Sequence, residues 1–82
     1  MVSTGWLSLP EIVLDCRGLK CPLPVLRTEK QAERMAAGDR LLVLATDPMA
    51  RIDIPLFCTQ NGYECETEAE GDMLRFRIAR AQ

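Results

Sequence analysis

Apolar residues run through this chain in two rhythms, and each change of rhythm marks an element. Ile12-Val13-Leu14 is a short apolar run between Glu11 and Asp15, β-branched at two of its three positions, and predicts a strand over 11–15. From Pro22 to Ala37 the spacing becomes helical. Val25, Ala32, Met35 and Ala36 fall on one side, while Arg27, Lys30, Glu33 and Arg34 lie mostly elsewhere. Gly38 follows as a residue suited to ending a helix. Leu41-Leu42-Val43-Leu44-Ala45 is continuous and apolar, the pattern of a strand buried on both faces or central in its sheet. Asp47-Pro48 opens a turn. A second helix is expected with Asp53 as N-cap, Pro55 at N2 and Ile52 stapled to Phe57, ending at Asn61-Gly62. Strict alternation follows. Tyr63, Cys65 and Thr67 share one face, and Glu64, Glu66 and Glu68 the other. Beyond Gly71-Asp72, Leu74, Phe76 and Ile78 point inward with Arg75 and Arg77 outward. Facing glutamates and arginines suit an antiparallel hairpin.

The predicted order is β-α-β-α-β-β. A right-handed crossover pairs the first two strands in parallel, and the hairpin completes a mixed four-stranded sheet with both helices on one face. That is an α/β (α+β) two-layer sandwich. Eighty-two residues make one domain, expected over 11–82, after a lead at 1–10 read as a mobile tail with Trp6 and Leu7 able to dock.

Charge narrows the function classes. Ten basic and twelve acidic side chains leave a net charge of −2, and residues 39–82 hold eight of the acids. A nucleic-acid binder should show a net basic face, so strong direct nucleic-acid binding is not expected. No run approaches the length of a membrane span, and residues 1–10 lack the basic start of a signal peptide. The cytoplasm is the expected location, and there thiols stay reduced. Histidine is absent, which excludes a Ser-His-Asp triad, a Cys-His pair and any His-containing metal site.

The four cysteines therefore hold the chemistry. Their spacings, Cys-x4-Cys and Cys-x6-Cys, do not match the paired Cys-x2-Cys of zinc ribbons, so no metal and no other cofactor is expected. Cys58 and Cys65 fall on inward positions of a helix and a strand and read as small buried hydrophobes. Cys16 reads as a turn residue or as a candidate resolving thiol for Cys21. Cys21 differs in its setting, Asp15-Cys16-Arg17-Gly18-Leu19-Lys20-Cys21-Pro22-Leu23-Pro24. Pro22 and Pro24 suit the first turn of a helix, where N–H groups lack partners anyway. Cys21 then sits at or beside the N-cap, with Arg17, Lys20 and Arg27 as the only charges between Cys16 and Thr28. Helix terminus and cations together predict a lowered thiol pKa. Asp15 and Gly18 are expected to shape the preceding turn, while Asp47 and Asp53 read as turn and capping residues. Thiolate attack on sulfur needs no histidine base, so sulfur exchange fits this chain.

At Asp15-x-Arg17-Gly18-Leu19-x-Cys21-Pro22-x-Pro24 the sequence resembles the TusA/SirA family of sulfur-carrier proteins. Asp47-Pro48 through Asp53-Ile54-Pro55-x-Phe57-Cys58 to Gly62-x-Glu64 is similar to the same family. The resemblance spans about residues 11–79. It implies a fold like the C-terminal domain of translation initiation factor three, and a carrier cysteine at Cys21. Such a carrier takes sulfane sulfur from a cysteine desulfurase or rhodanese-like donor and passes it to an acceptor protein. The routes it implies are tRNA 2-thiouridine synthesis, molybdenum-cofactor assembly and sulfur oxidation, and some members are linked to selenium. The expected activity is that of a persulfide-carrying sulfurtransferase rather than a stand-alone multiple-turnover enzyme, acting as a monomer. Cys16 lies outside the shared motif. It leaves two alternatives open: a thiol-redox protein cycling Cys16 and Cys21, and a non-catalytic interaction module.

Overall fold

The computed structural model describes residues 11–80. The lead at 1–10 and the last two residues of the expected domain lie outside the described residues. The elements are β1 (Glu11–Cys16), α1 (Leu23–Ala32), β2 (Arg40–Ala45), α2 (Ala50–Asn61), β3 (Tyr63–Glu70) and β4 (Met73–Arg80). This is the predicted β-α-β-α-β-β order. One four-stranded sheet has the order β1-β2-β4-β3, with β1 parallel to β2 and the other pairs antiparallel.

Strand β2 is central, as its apolar run predicts, but it is buried on one face only. Leu41, Val43 and Ala45 are fully buried, whereas Leu42 and Leu44 stay half-exposed on the face the helices leave open. On β4 the alternating Leu74, Phe76 and Ile78 meet Ala45, Val43 and Leu41 in register. Ala50, Ile54 and Cys58 of α2, Ala32 of α1 and Met35 close the core over them. The hairpin register sets Glu66 opposite Arg77 and Glu68 opposite Arg75. The ion pairs run diagonally rather than directly across, Arg75 to Glu70 at 2.6 Å and Arg77 to Glu68 at 3.7 Å. Cys65 is only half-buried and Thr67 exposed, because β3 is an edge strand that the helices cover incompletely.

Both helices depart from expectation at their ends. Helix α1 stops at Ala32 rather than Ala37. The chain turns there, with Met35 still buried in the core, and Asp39 closes the turn by accepting the Ala36 N–H at 2.9 Å. Gly38, at φ +90°, serves that turn instead of the helix end, and its N–H donates to the Arg80 carbonyl at 3.3 Å. Thr28 is a fully buried polar residue. Its hydroxyl donates to the Pro24 carbonyl at 2.8 Å, which removes the cost of burying it. Helix α2 starts at Ala50, three residues before the expected N-cap. Asp53 thus lies inside the first turn, and Pro55 lies in the helix interior with no N–H for the Arg51 carbonyl. Ile52 is 61% exposed, so there is no staple, and Phe57 stacks on Tyr63 at 5.6 Å instead. The Asn61-Gly62 stop is as predicted, with Gly62 left-handed at φ +78°.

Candidate functional site

The turn between β1 and α1 is built by its own polar residues. Asp15 accepts the Arg17 backbone N–H at 3.0 Å, and its carboxylate takes two bonds from the guanidinium at 2.9 and 2.8 Å. Those bonds hold its carboxyl down at about 2 from an ordinary value of 3.8. Leu19 N–H returns to the Cys16 carbonyl at 3.1 Å. Gly18, at φ +81°, takes a conformation that only glycine adopts freely, and its N–H donates to Thr46 Oγ1 at 2.9 Å. That bond fastens the turn to the end of β2.

Cys21 is exposed at the far side of this turn. Pro22, joined to it by a cis peptide, is the N-cap of α1, and Pro24 sits at the second helical position. Cys21 therefore lies just outside the helix. Two aspartates from beyond β2 converge on it. Asp47 accepts the Cys21 backbone N–H with one carboxylate oxygen and the Met49 N–H with the other, at 3.2 Å. The Cys21 Sγ donates to Asp53 Oδ2 at 3.2 Å.

The electrostatic expectation fails here. The hydrogen bond to Asp53, with the negative charges of Asp53 and Asp47, raises the Cys21 pKa above that of an ordinary thiol. Arg17, expected to favour the thiolate, is held by Asp15. The capping role expected of Asp53 is absent, and the turn role expected of Asp47 is present. Sequence reading missed both aspartates as neighbours of Cys21. The available signal was their place in the second motif, Asp47-Pro48 to Asp53-Ile54-Pro55.

The remaining cysteines separate cleanly. Cys16 ends β1 with no exposure, inside the core, and burial pushes its thiol up. Cys58, fully buried on α2, and Cys65, on β3, neighbour each other; the contact between their sulfurs and burial push the Cys58 thiol up, while that contact lowers Cys65 to about 7. All four are free thiols. Leu23, Leu26, Met49, Ile52 and Leu56 stand exposed on the segments that bring Cys21, Asp47 and Asp53 together. Among the described residues no helix is long and apolar enough to cross a membrane.

Known proteins share this arrangement of chain and fold. Residues 12–80 match the family model described as Sulfurtransferase TusA. A sulfur carrier protein TusA of Pseudomonas putida (strain GB-1) is 46% identical over 61 residues, covering 74% of this chain and 76% of that protein. One from Pseudomonas entomophila is 48% identical over 54 residues, covering 66% of this chain and 68% of the relative. The crystal structure of a SirA-like protein from Desulfitobacterium hafniense superposes with a TM-score of 0.75 at 29% identity, across 87% of this chain and 99% of that one. With a family match over nearly the whole described chain and relatives at this identity, the chain belongs to the TusA family.

Proposed function

We propose that this protein is a sulfur carrier, taking sulfane sulfur as a persulfide on Cys21 and relaying it to an acceptor protein. The observation that carries this reading is the exposed Cys21, held out on the Cys-Pro-x-Pro turn of a chain whose relatives are named sulfur carrier proteins. In loading, the Cys21 sulfur attacks the terminal sulfur of a donor persulfide. A new S–S bond forms at Cys21 and the donor's S–S bond breaks. The Cys21 thiol proton is balanced by one taken up at the departing donor thiolate, with no net oxidation. Unloading reverses these roles with an acceptor thiol. Each loading ends with the carrier altered, so the protein acts as a co-substrate between two others. A cysteine desulfurase or rhodanese-like protein suits the donor side, in a reducing cytoplasm. The acceptor belongs to tRNA thiolation, molybdenum-cofactor assembly or sulfur oxidation.

Incubation with a cysteine desulfurase, cysteine and pyridoxal phosphate should add the mass of one or more sulfur atoms to wild type and none to Cys21→Ser. Equal loading of the two would overturn the proposal. The thiol-redox alternative is disfavoured, because the Cys16 sulfur is closed inside the core and could meet Cys21 only if β1 opened. The interaction-module alternative is separated by complementation: a Cys21→Ser chain that restores function in a deletion strain would favour it.

A further inference from the structure

Asp47 and Asp53 both reach Cys21, but their carboxylates are engaged differently. Asp47 is fixed by two backbone N–H donors, one of them that of Cys21, and clamps the loop. Asp53 bonds the sulfur itself at 3.2 Å, and among the described residues its carboxylate has no cationic partner. Its place in the first turn of α2, half-buried, fixes its aim. A thiol can donate to a carboxylate. A thiolate cannot, and would sit against a like charge at the same distance.

We infer that Asp53 is a positioning residue for Cys21, aiming the sulfur and holding it as the neutral thiol until a cationic side chain of a sulfur-exchanging partner pairs with that carboxylate. The partner half of this inference rests on the carrier reading; the hold on the thiol does not. The arrangement suits a carrier that must stay unreactive between partners. Pairing Asp53 with a cation removes the charge that opposes the thiolate, so Cys21 becomes nucleophilic where a donor or acceptor is docked. The sulfur step is the one balanced above, with the Cys21 proton released as the thiolate forms. The charged groups that raise Cys21 are Asp53 from α2 and Asp47 from the loop before it; of the nearby cations, Arg17 is paired with Asp15.

The test follows Cys21 alkylation by iodoacetamide against pH in the full chain, read by peptide mapping, for wild type, Asp53→Asn and Asp53→Glu. Asp53→Asn should move the midpoint to lower pH, with roughly tenfold more thiolate below it for each pH unit of movement. Asp53→Glu should stay nearer wild type. Thermal melts show whether each variant is folded, and raising salt to about 1 M, which screens exposed charges, should lower the wild-type midpoint more than that of Asp53→Asn. A second arm compares a methanethiosulfonate carrying an ammonium group with a neutral one at low salt. Wild type should prefer the cationic reagent by roughly fivefold, the factor that one ion pair near 4 Å gives in water, and Asp53→Asn should lose that preference. Coincident pH profiles for folded wild type and Asp53→Asn, or equal preference in the two, would overturn the inference. Those outcomes leave sulfur loading on Cys21 untouched. Equal loading of Cys21→Ser would remove the carrier and leave the alkylation result in place.

Discussion

Cys16 and Cys21 stand five residues apart and occupy opposite surroundings. Cys16 closes β1, its side chain sealed beneath the helices. Cys21 stands outside α1, with a carboxylate as its nearest partner. Both thiols are pushed above the ordinary value, Cys16 mainly by desolvation and Cys21 mainly by the hydrogen bond to Asp53. The same direction of shift thus arises from two causes that respond to different perturbations. A buried thiol is protected by the whole fold, whereas the exposed Cys21 thiol is set by the two carboxylates beside it.

The largest expected contrast is in labelling. If opening the core takes about 5 kcal/mol, Cys16 should react with iodoacetamide on the order of a thousandfold or more slowly than Cys21 at pH 7. Quantitative peptide mapping reads the ratio, and denaturant should erase it. Comparable native rates would mean that β1 opens by itself.

Stability gives the next contrast. Cys16→Ser leaves a hydroxyl in an apolar site and should cost about 1–3 kcal/mol, while Cys21→Ser should stay within about 0.5 kcal/mol. Calorimetry can separate these, since 1 kcal/mol shifts the melting temperature of a domain this size by about 4–8 °C. Between the two cysteines, Gly18→Ala places a side chain at φ +81° in open space, so strain alone should cost about 1–2 kcal/mol, read from the urea midpoint. Equal midpoints would show that the turn relaxes freely.

The smallest effects are in pH dependence. A thiol whose pKa is raised by folding keeps its proton where the unfolded chain loses it. Its stabilisation is therefore complete below the ordinary value of 9.0 and is lost as pH rises beyond it. Cys16→Ala and Asp53→Asn should each flatten part of that alkaline decline in urea titrations. Asp15 has the opposite sign. Its pKa is lowered to about 2, so its contribution is present above 3.8 and fades as pH falls toward 2. Asp15→Asn should remove that acid slope.

Strands were legible because their signal is local. Alternation at Leu74, Phe76 and Ile78 states which face is buried, and Gly62 and Gly71 mark where the chain turns. The end of α1 was not legible. Ala36 and Ala37 favour helix, and the bonds that turn the chain instead, Ala36 N–H to Asp39 and Gly38 N–H to the Arg80 carbonyl, are made with residues further along the chain. The candidate site divides in the same way. Asp15, Gly18 and Cys21 could be read from one motif. Asp47 and Asp53 could be read as polar residues near a helix start, but not as neighbours of Cys21, because contacts spanning 26 and 32 residues exist only in the folded chain. Charge counted along the chain puts cations around Cys21, and the fold adds anions.

The strand order has a consequence for synthesis. β4, the last described strand made, is inserted between β2 and β3. A growing chain emerging from the ribosome cannot close its core until that strand arrives, because the inward side chains of β2 face those of β4. Until then Cys16 and Cys58 lack the cover that β4 completes, and an oxidant can reach thiols that the finished fold hides.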